Sequence, residues 1–362
     1  MKKNINVEFI RIVSIVMVIF IHLLSYIMLN VNATKNILYF QAFFKVSIGC
    51  FFIVMGYVFN VDKDIGKMWL KNIYRFIIPL VIFSLFYELF YDFLTYKSSF
   101  MTCLSNIKID FDLIKKVFLG NVLYTRAFHF WYLYDILKLY LLYPVFKIIC
   151  LPKNEKYKKI LIVILFFIYI VLPSIINLYE PLFSLSKYFN YNLGYICLYF
   201  LIGNLFKDNI SKIKLDKIAL IGLYILMILF CILCFNKIEA FYNRSWLYVY
   251  SFDYPFIFIF FASIFIFIFM MKINLRYNKI IMFLGNKTLI IYYIHLAILY
   301  LFVYNPNIKR MLYSNAIGWS FVIAFLVYLL CVLIAFLFQK CVSFIKHETR
   351  DKCLELGSSK SG

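Results

Sequence analysis

Long apolar runs alternate with short polar links along nearly the whole chain. A run of about 20 apolar residues is long enough to cross a bilayer as a helix. The pattern predicts about ten such spans, and therefore an all-α integral membrane protein with its helices in one bundle. The predicted spans lie near residues 7–29, 38–61, 76–95, 130–150, 158–177, 190–206, 217–235, 254–271, 280–303 and 317–343.

The links between the runs contain no Pro/Gly/Ser-rich linker and no separate soluble segment. We therefore expect one membrane domain over residues 1–346 and a cytoplasmic tail over residues 347–362, whose end, GSSKSG, resembles a cloning remnant. The first apolar run has no small-residue cleavage site, which favours a retained span over a signal peptide.

Lysine and arginine residues indicate the direction in which the spans cross. These residues concentrate in the cytoplasmic loops of membrane proteins. Most of them occur in alternate links, near residues 2–3, 63–71, 153–159, 207–217, 272–279 and 346–352. This asymmetry predicts that both termini are cytoplasmic. The amphipathic segment 96–128 also contains basic residues, and we expect it to lie along the outer surface.

Composition and charge agree with this class of protein. Of the 362 residues, 65% are hydrophobic and 15% charged, which leaves too few polar side chains to cover a soluble domain. The net charge of +21 resides in the links, which favours a topological role over nucleic-acid binding. The scattered cysteines are typical of small buried hydrophobes. Cys231 and Cys234 have no second pair or histidine near in sequence, so we predict no metal site.

Two polar residues in the first apolar run share one face of the predicted helix. Arg11 and His22 are eleven residues apart, and eleven steps of about 100° end about 20° past three full turns. The same steps give a rise of about 16 Å, which places Arg11 at the membrane surface and His22 deep in the bilayer. His295 lies at a similar depth in its own span, so the two histidines can meet.

The start of the fourth span also carries polar side chains. His129 and Trp131 open it from the outside, and Asp135 and Lys138 follow deeper on one face. Ionisable groups inside a membrane are energetically costly and commonly line a cavity or a pathway.

Five segments resemble, in order along the chain, the motifs of the acyltransferase 3 family of ten-span bacterial enzymes that acylate envelope sugars. They are RIVSIVMVIFIH at 11–22, CFFIVMGYVF at 50–59, KNIYRFIIP at 71–79, HFWYLYDILKLYLLYP at 129–144 and TLIIYYIH at 288–295. The sequence departs from the family pattern at Met55, where relatives usually have serine before Gly56.

The resemblance implies an O-acyltransferase of a bacterial plasma membrane. Its donor would be cytoplasmic acyl-CoA, in the first place acetyl-CoA, and its acceptor a hydroxyl of a cell-surface glycan or of a lipid-linked precursor. No permanently bound cofactor is expected, and no nucleic acid. The expected partners are therefore the donor, the glycan acceptor and membrane lipids.

Acyl transfer from a thioester requires a base, a grip on the donor and a dry site. His22 is our candidate base, because the ordinary pKa of histidine is near neutrality. Arg11, Lys71 and Arg75 are candidates for binding the donor phosphates. We also count Arg11 with His22 as a catalytic candidate, since Arg11 can orient the arm of the donor. Six further residues are candidates for contacting the acceptor or supporting the site: His129, Trp131, Tyr132, Asp135, Tyr292 and His295.

Simpler interpretations stay open at this stage. Arg11, Lys71 and Arg75 can be topology signals, His22 and His295 can be packing or helix–helix hydrogen-bonding residues, and the aromatic residues can form an interfacial belt. Asp135 and Lys138 can be an internal ion pair. The alternative function is a multi-span transporter or exporter of a small polar substrate or glycan intermediate. A glycan polymerase is a third possibility, and the absence of a large predicted outer loop disfavours it.

Overall fold

A computed structural model of the protein describes residues 4–30, 35–62, 64–96, 127–179, 191–242 and 256–358. Throughout these ranges the regular secondary structure is helical. Most of the predicted surface segment 96–128 lies outside the described residues.

The described ranges contain thirteen α-helices, numbered in chain order. They are α1 (Ile5–Asn30), α2 (Lys35–Tyr57), α3 (Ile65–Tyr96), α4 (Trp131–Leu141), α5 (Tyr143–Ile149), α6 (Glu155–Phe166), α7 (Leu172–Tyr179), α8 (Tyr191–Asn209), α9 (Lys217–Tyr242), α10 (Ile257–Met271), α11 (Lys279–Val303), α12 (Pro306–Ser314) and α13 (Ala316–Ser358). A π-helical turn, Phe167–Val171, joins α6 to α7.

Seven helical segments among the described residues are long and apolar enough to cross a membrane. They are Ile5–Met28, Tyr39–Tyr57, Trp69–Tyr91, Pro152–Ile176, Lys217–Cys234, Lys279–Val303 and Ala316–Lys340, and Ile257–Met271 is a shorter apolar helix. The all-helical membrane architecture therefore agrees with the sequence pattern. The total of ten spans and the cytoplasmic termini stay predictions.

Several helices differ from the predicted bounds. Helix α9 continues to Tyr242, beyond residue 235, and α13 continues to Ser358, beyond residue 343. Helix α3 begins at Ile65, well before residue 76, because the basic first turns that mark a link in sequence continue as helix. The predicted fourth span is divided at Leu142 into α4 and α5. Pro144 lies directly after this break, and proline has no backbone N–H to continue the hydrogen bonds of the preceding helix.

Glycine residues bring α2 and α8 into close contact. A Cβ atom on Gly56 would lie 1.8 Å from the carbonyl oxygen of Phe200, and one on Gly203 would lie 2.0 Å from that of Ile53. Small residues permit this approach of two helix backbones, which is common in membrane bundles. Helix α1 packs on the other side of α2, where Phe20 and Phe44 stack with ring centroids 4.7 Å apart.

At one side of the bundle, which we call the basic end, hydrogen bonds join the termini of neighbouring helices. The Asn6 side chain donates to the carbonyls of Met270 and Ile273, at 2.9 and 2.7 Å. Lys207 Nζ donates to the Phe59 carbonyl at 2.9 Å, and Lys272 Nζ donates to the Ile213 carbonyl at 2.5 Å. The start of α1 therefore lies beside the end of α10, and the end of α2 beside α8.

Candidate active site

Three histidines from distant parts of the chain form one cluster. The ring centroid of His22 lies 5.3 Å from that of His295 and 6.1 Å from that of His129. The His129 and His295 centroids are 5.4 Å apart. His129 and His295 are fully buried, and His22 is partly buried. Helix α1, the 3₁₀ turn Phe128–Phe130 and helix α11 each contribute one ring.

The backbone of α11 fixes the tautomer of His295. Its Nδ1 lies 2.7 Å from the carbonyl oxygen of Tyr292. A carbonyl oxygen can only accept a hydrogen bond, so Nδ1 carries the proton and the neutral ring presents an unprotonated Nε2. Nε2 is buried and has no hydrogen-bond partner among the described residues. His295 therefore offers an acceptor nitrogen inside the cluster.

The rings of His22 and His129 lie at similar distances from that of His295, 5.3 and 5.4 Å between centroids. His295 is therefore the common neighbour of the other two rings. The Nε2 atom of His295 has no hydrogen bond to either ring within the described part of the chain.

Aromatic residues enclose the cluster. The Tyr292 hydroxyl donates a hydrogen bond to the His129 carbonyl, which connects α11 to the turn before α4. The Tyr132 ring lies 5.3 Å from that of Tyr292, and the Tyr87 ring lies 4.8 Å from that of His129. The histidines are thus held in an apolar, tightly packed environment.

Two other predicted residues of α4 lie beside this enclosure. Trp131 is partly buried and contacts Tyr132, with ring centroids 6.4 Å apart. Asp135 is 1% exposed and pairs with Lys138 Nζ at 2.8 Å. Its second oxygen, Oδ2, has no hydrogen bond within the described part of the chain.

A cavity of about 590 Å³ opens at the basic end of the bundle. Arg11, Lys71 and Arg75 contribute three positive side chains to its lining, and Asp64 contributes one negative side chain. The rest of the lining is largely apolar and aromatic and includes Met55, Val58, Phe59, Leu139, Tyr140, Tyr143 and Phe200. The cavity therefore combines a basic side with an aromatic wall, which suits an anion attached to a flat ring.

Hydrogen bonds hold the wall of this cavity in place. The Tyr143 hydroxyl donates to the Asn60 carbonyl at 2.9 Å, and Tyr143 and Phe59 pack with ring centroids 4.9 Å apart. Since the Phe59 carbonyl also accepts from Lys207, the chain that leaves α2 is fixed at two successive residues.

Glu8 orients Arg11 toward this cavity. Its Oε1 lies 3.0 Å from an Arg11 guanidinium nitrogen, and the Glu8 side chain is 3% exposed. The carboxylate fits against Gly285 of α11, where a Cβ atom would lie 2.4 Å from Glu8 Oε2. The glycine thus makes room for the carboxylate, and the carboxylate holds the arginine.

Two helices, α1 and α3, extend from the cavity to the histidine cluster. Helix α1 carries Arg11 and His22, and helix α3 carries Arg75 and Tyr87. At 1.5 Å per residue, these pairs are about 16 and 18 Å apart along their axes. The cavity and the cluster are therefore separated by about half the thickness of a bilayer.

The structure thus gathers the predicted residues into two groups. His22, His129, Tyr132, Tyr292 and His295 lie in or against the cluster. Arg11, Lys71 and Arg75 line the cavity, and Trp131 and Asp135 belong directly to neither group.

Four residues at these two places were not predicted from the sequence: Tyr87, Tyr140, Tyr143 and Gly285. Tyrosines and glycines within apolar runs have no spacing that distinguishes them from their neighbours.

Among the described residues, no group of three His, Cys, Asp or Glu side chains is placed to hold a metal ion. A family model described as an acyltransferase domain, acyltransferase 3, matches residues 4–338. No curated protein and no solved structure matches the chain significantly. The family match spans both the cavity and the histidine cluster.

Proposed function

This protein belongs to the acyltransferase 3 family, and on that premise we propose that it is a membrane O-acetyltransferase. In this proposal it transfers an acetyl group from cytoplasmic acetyl-CoA to a hydroxyl of a cell-surface glycan or of its lipid-linked precursor, in the plasma membrane of a bacterium. The ten-span topology with cytoplasmic termini is part of the proposal, since it places the basic end on the side of the donor.

One observation carries the proposal. A single helix, α1, presents Arg11 to a basic cavity and His22 to a buried cluster of imidazoles, about 16 Å further along its axis. Acyl-CoA also has two separate functional ends, since its phosphates lie at one end of a long flexible arm and its thioester at the other. Phosphates on the cavity and the thioester at the cluster are therefore a consistent pair of positions.

The cavity suits the nucleotide end of the donor. Its volume of about 590 Å³ lies within the usual range of about 300 to 1,000 Å³ for ligand pockets. The guanidinium and ammonium groups of Arg11, Lys71 and Arg75 form charge-assisted hydrogen bonds with phosphate oxygens. Asp64 opposes this charge, so the three cations retain an excess of positive charge over the lining carboxylate.

The cluster supplies the proton chemistry. As the acceptor oxygen bonds to the acetyl carbon, His22 takes the hydroxyl proton, the carbon–sulfur bond breaks, and the thiolate of CoA receives a proton from the imidazolium. Because His295 presents an unprotonated Nε2, an N–H of His22 can donate to it and leave the other His22 nitrogen as the base. The enclosure by Tyr87, Tyr132 and Tyr292 keeps water from the thioester.

The acceptor would approach beside α4. Trp131 offers an aromatic face of the kind that packs against sugars, and Asp135 offers a second carboxylate oxygen for a sugar hydroxyl. His129 closes the cluster on this side. In this proposal these residues contact or support the acceptor, and they do not bind the donor.

Radiolabelled acetyl-CoA tests the function directly. Detergent-purified protein is incubated with it and with an envelope-glycan fraction from cells that lack the protein. We expect label to move to the glycan and free CoA to appear in equal amount. Transport of the glycan or of a small solute by proteoliposomes, without consumption of acetyl-CoA, would instead favour the transporter.

A further inference from the structure

Tyr87 of α3 bonds both partners of one backbone hydrogen bond in α11. Its hydroxyl donates to the Tyr293 carbonyl at 2.9 Å and accepts from the Ala297 N–H at 3.0 Å. In an ordinary helix these two groups bond each other, because the N–H of residue i pairs with the carbonyl of residue i−4. The hydroxyl therefore bonds both backbone groups of this turn, within a helix that is continuous from Lys279 to Val303.

His295 lies within the turn that the hydroxyl bonds. Residues 293 and 297 flank it on the chain, and its Nδ1 is bonded to the carbonyl of Tyr292, in the same turn. A side chain that bonds the backbone groups of a helical turn can alter the local course of the helix. The hydroxyl is therefore placed to influence the direction in which α11 presents the His295 ring.

The ring of Tyr87 reaches the cluster from a second side. It is fully buried and meets the His129 ring edge to face, with centroids 4.8 Å apart and planes at 73°. One side chain thus contacts the backbone that carries His295 and the ring of His129.

We propose that Tyr87 is a positioning residue of the active site, whose hydroxyl, bonded to both groups of the turn, sets the orientation of His295 relative to His22. This inference rests on the proposed acyl transfer at the histidine cluster, and Tyr87 acts through His295 without contacting either substrate. Without the hydroxyl, the carbonyl of Tyr293 and the N–H of Ala297 can bond only each other, and we expect the Nε2 of His295 to move relative to His22.

A neighbouring tyrosine provides a matched control. The Tyr293 hydroxyl also joins α11 to α3, by donating to the Phe76 carbonyl at 3.2 Å. Its ring stacks on Phe83, with centroids 4.9 Å apart, and that contact survives loss of the hydroxyl. Tyr293→Phe therefore removes one buried hydroxyl between the same two helices without touching the ladder around His295.

Histidine-selective isotope labelling allows a test that needs no activity. The chain has four histidines, so the imidazole signals of the detergent-solubilised protein can be assigned from single substitutions. We expect Tyr87→Phe to shift the His295 signals and, through contact, those of His22 and His129, while Tyr293→Phe leaves them unchanged. His347, the fourth histidine of the sequence, serves as the internal reference.

Steady-state kinetics provide the second readout. Since displacement of a catalytic geometry by about 1 Å is enough to reduce turnover about 100-fold, we expect Tyr87→Phe to lower kcat by about 10- to 100-fold with an unchanged KM for acetyl-CoA. Tyr293→Phe should retain wild-type kcat. Equal losses in the two variants would show general helix packing, and unchanged His295 signals with unchanged kcat in Tyr87→Phe would overturn the proposal.

Two further comparisons cover the cases in which Tyr87→Phe does not fold or the wild-type protein does not consume acetyl-CoA. If Tyr87→Phe does not fold, 3,5-difluorotyrosine at position 87 preserves the shape while weakening the hydroxyl as an acceptor, and it must shift the His295 signals relative to the wild type. If the wild-type protein does not consume acetyl-CoA, the proposed function fails, while the imidazole signals still decide whether Tyr87 positions His295.

Discussion

The imidazole rings of His22 and His295 lie 5.3 Å apart between centroids, although they belong to the first and the eleventh helix of the described chain. The carbonyl of Tyr292 holds the proton of His295 on Nδ1, so the other nitrogen of this ring can accept from His22. A base oriented by a second group is a recurring arrangement in enzymes that transfer acyl groups.

Replacement of His22 tests the role of the base. If His22 removes the hydroxyl proton of the acceptor, His22→Ala should lower kcat for acetyl transfer by about 10²- to 10⁴-fold, the usual contribution of general acid–base catalysis. Acetyl-CoA binding, measured by calorimetry on protein of matched folded fraction, should be retained. If the variant transfers acetyl groups at near the wild-type rate, His22 is a packing residue and not the base.

His295→Ala separates orientation from packing at the second ring. If His295 accepts from His22, its loss should lower kcat by less than the loss of His22 does, since the base remains but its orientation is no longer fixed. A residue that only packs would instead give a lower melting temperature with full activity per folded molecule. Measuring both quantities on one preparation distinguishes the two roles.

The three cations of the cavity should act on donor binding. Loss of one charge-assisted hydrogen bond costs about 1.5 to 3 kcal/mol, so Lys71→Ala or Arg75→Ala should raise the KM for acetyl-CoA by about 10- to 150-fold, with a smaller effect on kcat. Lys153→Ala is the control, because Lys153 is exposed and is absent from the cavity lining. An unchanged KM in both cavity variants would leave these residues as topology signals alone.

Gly285 should couple the stability of the bundle to donor binding. A Cβ atom there would lie 2.6 Å from Glu8 Cβ and 3.0 Å from Glu8 Cα, so Gly285→Ala must displace α1 and the ion pair between Glu8 and Arg11. Overpacking of this kind costs about 1 to 3 kcal/mol. We expect a lower melting temperature in detergent together with a higher KM for acetyl-CoA.

Gly222→Ala makes the same chemical change as Gly285→Ala, but we expect no fall in the melting temperature. Apart from its chain neighbours and the backbone of its own helix, no described atom lies within 4 Å of the corresponding Cβ position, and alanine is favoured over glycine in a helix by about 1 kcal/mol. The melting temperature should therefore stay the same or rise. A similar fall in both variants would show that the contact with Glu8 has no special importance.

Sequence periodicity was informative where the relevant residues share a helix. The eleven-residue spacing placed Arg11 and His22 at different depths on one face, and equal depth suggested that His22 and His295 meet. It could not show that the turn Phe128–Phe130 carries His129 into the cluster, because a short 3₁₀ turn has no periodic signal. Nor could it single out Tyr87 among 31 tyrosines, since the hydrogen bonds between its hydroxyl and the backbone of another helix depend on tertiary packing.

The direction of the spans determines which compartment supplies the donor, and labelling of single cysteines tests it. In a background without native cysteines, Lys153→Cys should react with a membrane-impermeant maleimide only after the membrane is opened, because its basic link is predicted to be cytoplasmic. Arg310→Cys should react in intact cells, since the link between the last two predicted spans lies on the opposite side. The structure places the start of the link that contains Arg310 at the far end of α1 from Arg11, because Tyr26 of α1 donates to the Val303 carbonyl at 3.2 Å. Reaction of Lys153→Cys from outside would invert the bundle, place the basic cavity away from acetyl-CoA and exclude the proposed route of the donor.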